Sequence, residues 1–428
     1  MYMKKKIILI IAVFITNTVM AWIVFSPQII LYCIQHQKIF LLKECLYLGG
    51  NANTRLEGGV TPLMAASSMG RIAAVKLLLA HGAEVNARDC DNWTALMLAV
   101  NNNRLQIVEM LLNKKANPNL GSTDKGSNSL MIATAKGSTD IVEILLKYGA
   151  NVNAQDYDNW TVLMQAVNTK KVQIVEMLLS NKANPNLGRS DGGHTSLMLS
   201  IINNSPKMVE ILLKYGADPN IRNKKNGATA IFYPVVGNNV DITKLLLQYG
   251  ATVNLSSRQG EPLLLLATRI DASLEIINLL AKSGANIKVT DDEGNNALFY
   301  CESSELIKFF VNNGLNPNIQ NNEKMTPLEY ACDEGNQQTV NTLIDFGANV
   351  NHQDVAGGTP LIRAVLKGHY QIISTLLEKG ADINIADKVG HTALDIALKI
   401  KSEKIVELLE KHGAKPGKDI LCANGKLF

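Results

Sequence analysis

The sequence predicts an all-α solenoid of short helix pairs, and three periodic observations predict it. A Gly-Ala pair, or a degenerate form of it, recurs along most of the 428 residues at intervals of 33 or 34. About 11 residues after most of these pairs comes a helix start such as Thr61-Pro62-Leu63. A second apolar helix follows each start, as in Ile141–Leu146, and ends in a loop rich in Asn, Asp and Gly. A period of this length is the signature of stacked repeats, each unable to bury its apolar face alone.

The chain begins with an address. Lys4, Lys5 and Lys6 precede an apolar run from Ile7 to Phe25 that only Thr16, Asn17 and Thr18 interrupt. A basic start followed by an apolar stretch directs export through a membrane. Two endings fit: cleavage after Ala21 at Val19-Met20-Ala21, or retention of residues 7–25 as a signal anchor just long enough to span the bilayer. Retention is the preferred ending, because Trp22-Ile23-Val24-Phe25 extends the apolar run beyond the cleavage site. Lysines ahead of the span would keep the N-terminus cytoplasmic and the repeats outside, as a single-pass membrane protein. Cleavage would make the protein periplasmic or secreted. The expected organisation is a signal peptide or anchor over 1–26, a solenoid over 27–415 whose 27–54 form a degenerate capping repeat, and a tail over 416–428.

Within the array, Thr at the N-cap supplies a hydroxyl to free amides, and Pro at the first helical position loses no hydrogen bond. Clear starts stand at Thr61, Thr326 and Thr359, and looser ones at Thr94, Thr161 and Thr392. Second helices are expected to stop at glycines such as Gly149, where a left-handed residue costs little. Lys115-Ala116 and Lys182-Ala183 stand where Gly-Ala is expected, and they belong to a duplicated block: residues 91–157 and 158–224 agree at 39 of 67 positions. One interval, between Ala285 and Leu315, is only 30 residues, which places a deletion in the inter-helix turn at Cys301–Glu305. Pro234 stands where an interior Ala is expected and should bend its helix. The turn around Arg269–Ser273 reads as lengthened. Together these make residues 229–315 the expected site of a kink or mobile joint. The first pair should comprise helices near Pro27–His36 and Lys38–Leu48, and the last should show a charged outer face at Lys404, Glu407 and Lys411.

Asn makes up 43 of the 428 residues, whereas charged residues are 19% and the net charge is +4. The Asn excess is loop chemistry, because Asn tolerates left-handed backbone and bonds to nearby amides. Asn92 and Asn159 occupy the turn position that Gly58, Gly294 and Gly390 hold elsewhere. No basic run marks a nucleic-acid footprint. The seven His are scattered singly, without a His-Glu-x-x-His zinc pattern, and no phosphate-binding Gly-rich loop precedes a Lys. Asp291-Asp292-Glu293-Gly294 resembles half a calcium loop, but the later ligands are missing, so it reads as a solvated hairpin tip. Catalytic, cofactor and metal residues are therefore expected to be none. Six Cys are too few for a disulfide scaffold. Cys33 and Cys45 could face each other across the first helix pair, packing as thiols or, in an exported domain, oxidising; packing is the simpler reading.

The Thr-Pro-Leu-x-x-Ala starts, Val-x-x-Leu-Leu second helices and Gly-Ala-x-x-Asn exits make the chain resemble the ankyrin-repeat family, with about twelve repeats over residues 27–415. The family's usual His after Thr-Pro-Leu is Met at positions 64, 97, 131, 164 and 198, so those junctions should rely on apolar packing. The resemblance implies a helical solenoid with hairpin loops and a concave binding face. It implies that the residue before each start, and the second residue after its Leu, line that face. The first set includes Trp93, Trp160, His194 and His391, and the second includes Leu98, Ile132 and Leu199. The sharpest candidates for partner binding are Trp93, Trp160, Tyr233, Leu265, Tyr300, Tyr330 and Arg363, because Trp, Tyr and Arg most often anchor interfaces. The expected function is a non-catalytic scaffold for a protein partner, exported or anchored at a membrane, without cofactor or nucleic acid. Competing assignments are an inhibitory or regulatory subunit that masks one enzyme or toxin, and a host-directed effector of a bacterium with an AT-rich genome.

Overall fold

A computed structural model describes residues 26–188, 193–256 and 260–417. The chain divides into two compact units, Met1–Asp218 and Pro219–Phe428. The expected signal peptide or anchor, up to Phe25, and the tail from residue 418 lie outside the described residues.

The first unit holds six helix pairs: α1 (Pro27–Gln35) with α2 (Ile39–Tyr47), α3 (Pro62–Ser68) with α4 (Ile72–Ala80), and α5 (Ala95–Asn101) with α6 (Leu105–Asn113). They continue as α7 (Ser129–Lys136) with α8 (Thr139–Lys147), α9 (Val162–Asn168) with α10 (Val172–Ser180), and α11 (Ser196–Ile202) with α12 (Pro206–Lys214). The second unit holds α13 (Phe232–Val236) with α14 (Val240–Gln248), α15 (Leu263–Arg269) with α16 (Leu274–Lys282), and α17 (Ala297–Tyr300) with α18 (Ser304–Asn312). It ends with α19 (Pro327–Glu334) and α20 (Gln337–Asp345), α21 (Pro360–Lys367) and α22 (Tyr370–Glu378), and α23 (Ala393–Lys399) and α24 (Glu403–Lys411). Among the described residues there is no strand, only isolated bridges such as Gly121 with Asn128 across a hairpin loop.

Helix starts are fixed locally. The hydroxyls of Thr61, Thr94, Thr161, Thr195, Thr326 and Thr359 accept the amide three residues on, at 3.0 to 3.4 Å. Asn128 does the same for Met131 at 3.0 Å. Helix ends follow the expected chemistry as well. Gly149 (φ 80°) ends its repeat in left-handed backbone, and Lys115 (φ 63°) and Lys182 (φ 65°) adopt that conformation where Gly is missing. At the hairpin tips, Asn92 (φ 60°) and Asn159 (φ 58°) match Gly294 (φ 82°).

The second helices bury a Val or Ile and a Leu one turn apart, as at Val75 and Leu78, Val108 and Leu111, and Ile373 and Leu376. The Met residues at 64, 97, 131, 164 and 198 are all buried, which agrees with the apolar junctions expected there. Cys33 and Cys45 are buried, unbonded thiols. Burial, then the neighbouring Cys45, pushes the Cys33 thiol up to about 11.

Three irregularities sit in the second unit. The deletion at 301–305 shortens α17 to four residues and leaves Cys301 extended at φ −71°, ψ 120°. Most inter-helix turns contain one left-handed residue, such as Asn103, Gly137 or Lys170, and this turn has none. Its repeat carries bulky core side chains in compensation: Phe310 is fully buried and Phe299 nearly so. The turn between α15 and α16 is lengthened, as expected, at Ile270–Ser273. Pro234, however, does not bend a helix. Its helix starts late, at Phe232, so Pro234 lies in the first turn, where a backbone amide has no acceptor within the helix in any case. The consequence is a helix of five residues rather than a kinked longer one.

Candidate protein-interaction surface

Each first helix buries its initial turn and opens at one place. With the capping residue as N-cap, the fourth helical position is half-exposed at Leu98, Gln165 and Leu199 in the first unit, and at Leu266, Tyr300, Tyr330 and Arg363 in the second; Tyr233, second residue of the late-starting α13, is half-exposed at the equivalent place in its repeat. Ile132 and Ile396 hold the same position and are buried to 9% exposure. In the second unit this position collects side chains with large area and a polar end.

The polar ends of Tyr233, Tyr300 and Arg363 are held by the preceding hairpin loop. Asp291 takes two loop amides on Oδ1, Asn295 at 2.8 Å and Glu293 at 3.1 Å. Its other oxygen accepts the Tyr300 hydroxyl. Asn295 donates to the same hydroxyl oxygen at 3.1 Å and accepts from Asn321 of the next loop at 2.9 Å. The Tyr300 and Tyr330 rings meet edge to face at 6.2 Å, and Phe299 meets Tyr330 at 6.0 Å. Burial, then the bond to Asp291, pushes the Tyr300 phenol well above its ordinary range. Two repeats beyond Tyr300, Arg363 donates to Asp354, whose other oxygen takes the Ala356 and Gly358 amides at 2.8 Å. Burial alone would raise the Asp354 carboxyl, but the Arg363 bond and the Gly358 amide outweigh it and hold it below its usual range. Asn223 donates to Tyr233 in the same manner at 3.3 Å. The Asp291-to-Gly294 loop thus spends its carboxylate on its own amides and on Tyr300.

A second polar cluster lies beneath this row. Glu329 stands where earlier repeats carry Met and is fully buried. It accepts the Thr326 amide at 2.6 Å and faces His352 Nδ1 at 3.2 Å. Gln320 reaches the far nitrogen of His352 at 2.9 Å. Burial raises the Glu329 carboxyl against the pull of these partners.

Six of the seven predicted side chains are therefore half-exposed, and one is not. Leu265 is 1% exposed and belongs to the core. The Thr-Pro-Leu pattern set its register one residue early: Pro262 is the N-cap of α15 rather than its first helical residue, so Leu266 takes the open position. Tyr300, Tyr330 and Arg363 come from consecutive repeats, and Tyr300 and Tyr330 touch. In the first unit, Trp160 lines an open groove of about 430 Å³ with Gln165, Met131, Ile132, Lys125 and Asp158. Trp93 is half-exposed, and its amide donates to Asp89 at 2.8 Å. In the second unit, Arg363 lines a groove of about 510 Å³ with Ile362, Leu366, His391, Ile396 and Ile400. Sequence pattern did not reveal the Asp or Asn nine or ten residues upstream that orients Tyr233, Tyr300 and Arg363, nor the Glu329–His352 pair. Asp291 and Asp354 each stand five residues before a helix N-cap, which is the signal that could have found them. Among the described residues, no group of three His, Cys, Asp or Glu could hold a metal ion, and no helix is long and apolar enough to cross a membrane.

The family model described as Ankyrin repeats (3 copies) matches residues 30–122, 116–189, 185–257, 263–354 and 346–419. The chain belongs to the ankyrin-repeat family. No curated protein matches it. Ankyrin repeats generally mediate protein–protein interaction and are typically non-catalytic modules, so this ankyrin-repeat chain is read through its surface rather than through a catalytic centre.

Proposed function

We propose that this chain is a scaffold of about twelve ankyrin repeats that binds one protein partner through the half-exposed row Tyr233, Tyr300, Tyr330 and Arg363. Trp93 and Trp160 supply further anchors in the first unit. The observation that carries the reading is the arrangement at Tyr300, Tyr330 and Arg363. Asp291, Asn295 and Asp354 hold two of these side chains by their polar ends, and Tyr330 rests against Tyr300 and Phe299. Side chains fixed before binding lose less rotamer entropy on association, which favours affinity. Their mixture of apolar area and polar end suits a protein surface. Changing Tyr300 and Tyr330 together to Ala should weaken the partner by roughly thirtyfold or more, since even one interface anchor of this kind is worth about 2 kcal/mol or more. Isothermal titration of the purified pair measures this. Unchanged affinity, with an unchanged unfolding midpoint, would remove this row from the interface.

The repeats are displayed outside the cytoplasm by the apolar run 7–25, a reading supported by the three lysines before it and the length of the run. Mass spectrometry of the mature chain decides its form. An intact N-terminal segment is expected, and a chain beginning at Trp22 would mean cleavage.

A further inference from the structure

The first helix pair is capped unlike the last. A terminal repeat exposes a face that a neighbour would otherwise bury, and solubility calls for a polar one. The last helix follows that rule, with Glu403, Lys404, Glu407, Glu410 and Lys411 exposed. At the other end, α1 packs on α2 and α3, and α2 packs on α1 and α4. Helix α2 turns Leu42, Cys45 and Leu46 inward yet leaves Phe40 at 65%, Leu41 at 45% and Leu48 at 62% exposed. Phe40, Glu44, Leu48 and Leu41 fall within about 100° of helix circumference, so they form one stripe. Tyr32 on α1 is exposed as well, against His36, and Lys38 and Lys43 are exposed, whereas the Tyr47 ring meets His81 of the next repeat.

We propose that this outer face of α1 and α2 rests on the interface of a lipid bilayer. The inference relies on the reading of residues 7–25 as a membrane anchor, and it adds that the first repeat itself touches the lipid. Chain continuity brings the two together: the apolar run ends at Phe25, Ser26 caps α1, and α1 begins at Pro27. A bilayer that takes up the run therefore lies within a few residues of the face. The competing occupant, the run folded back as a helix, fits poorly by length. Nineteen residues would form a helix of about 28 Å, twice the roughly 14 Å of α1 or α2, so half of it would stay uncovered. The composition also suits an interface, where aromatic rings sit at headgroup level and lysines reach outward to water from an apolar face.

The test places a bimane fluorophore at single cysteines of the full-length chain, with the exposed Cys90 and also Cys422 changed to Ser. The sites are Val24→Cys in the run, Leu41→Cys on the face and Lys404→Cys on α24. The protein is reconstituted in phosphatidylcholine–phosphatidylglycerol vesicles with and without brominated acyl chains. Loss of emission is expected at positions 24 and 41 but not at 404. Loss at 24 without loss at 41 overturns the inference and leaves the anchor reading intact. No loss at 24 removes the anchor reading, and the inference falls with it. Shielding of position 41 from aqueous iodide without vesicles also overturns it. Shielding that grows with protein concentration then assigns the face to a second copy, and constant shielding assigns it to the chain's own run. A Phe40→Ser, Leu48→Ser variant supplies a second arm: position 41 should lose its lipid contact while 24 keeps it, and retained contact at 41 speaks against the face.

Discussion

An Asn side chain carries both an acceptor and a donor, and in many loops of this protein one Asn uses both to join consecutive repeats. Asn53 takes the Glu84 amide at 2.7 Å and donates to the Gly82 carbonyl at 3.0 Å. Asn119, Asn186, Asn220, Asn254, Asn318 and Asn351 repeat the arrangement, each reaching the Gly that ends the next second helix. In this series the position is Lys288 at the start of the 30-residue interval, where an Asn would be expected. Replacing Lys288 by Asn should therefore raise the stability of the second unit by about 1 kcal/mol, and Asn318→Ala should lower it by a similar amount. Urea unfolding midpoints check both, and an unchanged Lys288→Asn midpoint would mean that the clasp adds nothing at that junction. Asp354 gives a pH dependence. Its carboxyl is held low in the folded state by Arg363 and the loop amides, so its stabilisation is present above the unfolded value of about 3.9 and is lost as pH falls through the lower folded value. Asp354→Asn should flatten the acid limb of the midpoint-versus-pH curve below about pH 4, and an unchanged limb would contradict it.

At the scale of elements, the first helices of the second unit differ in length, one shortened by a deletion and one by a late start. Helices α13 and α17 have five and four residues, whereas α19 and α21 have eight each. Fewer intrahelical bonds permit easier local opening. Amide exchange across residues 229–315 should therefore be faster than across residues 326–378, and uniform protection would contradict a softer segment. What the sequence made legible follows from the range of each interaction. Thr caps and left-handed exits act within four residues, so Thr61, Thr94, Gly149 and even Lys115 could be placed from the sequence alone. The Asn clasps join residues about 30 apart, and the Asp291–Tyr300 and Glu329–His352 contacts join different elements. Local pattern carries neither the clasps nor the Glu329–His352 pair, and only the spacing of Asp291 from its N-cap points to the Tyr300 contact. Leu265 was misplaced because Pro can occupy the N-cap or the first helical position, and the sequence does not distinguish them when Glu261 replaces the usual Thr.

For the molecule, belonging to the ankyrin-repeat family sets the scaffold and leaves specificity to the side chains that remain open on it. The central claim is that the open fourth positions of the first helices in the second unit form the contact surface. It is tested most directly by incorporating the photo-cross-linker p-benzoylphenylalanine at Tyr300 or Tyr330, and at Tyr249 after helix α14 as a control, in the native host. Mass spectrometry then identifies the adducts. The same discrete protein adduct is expected from 300 and 330 and none from 249. Absence of an adduct at 300 and 330, or the same adduct from all three positions, would contradict it.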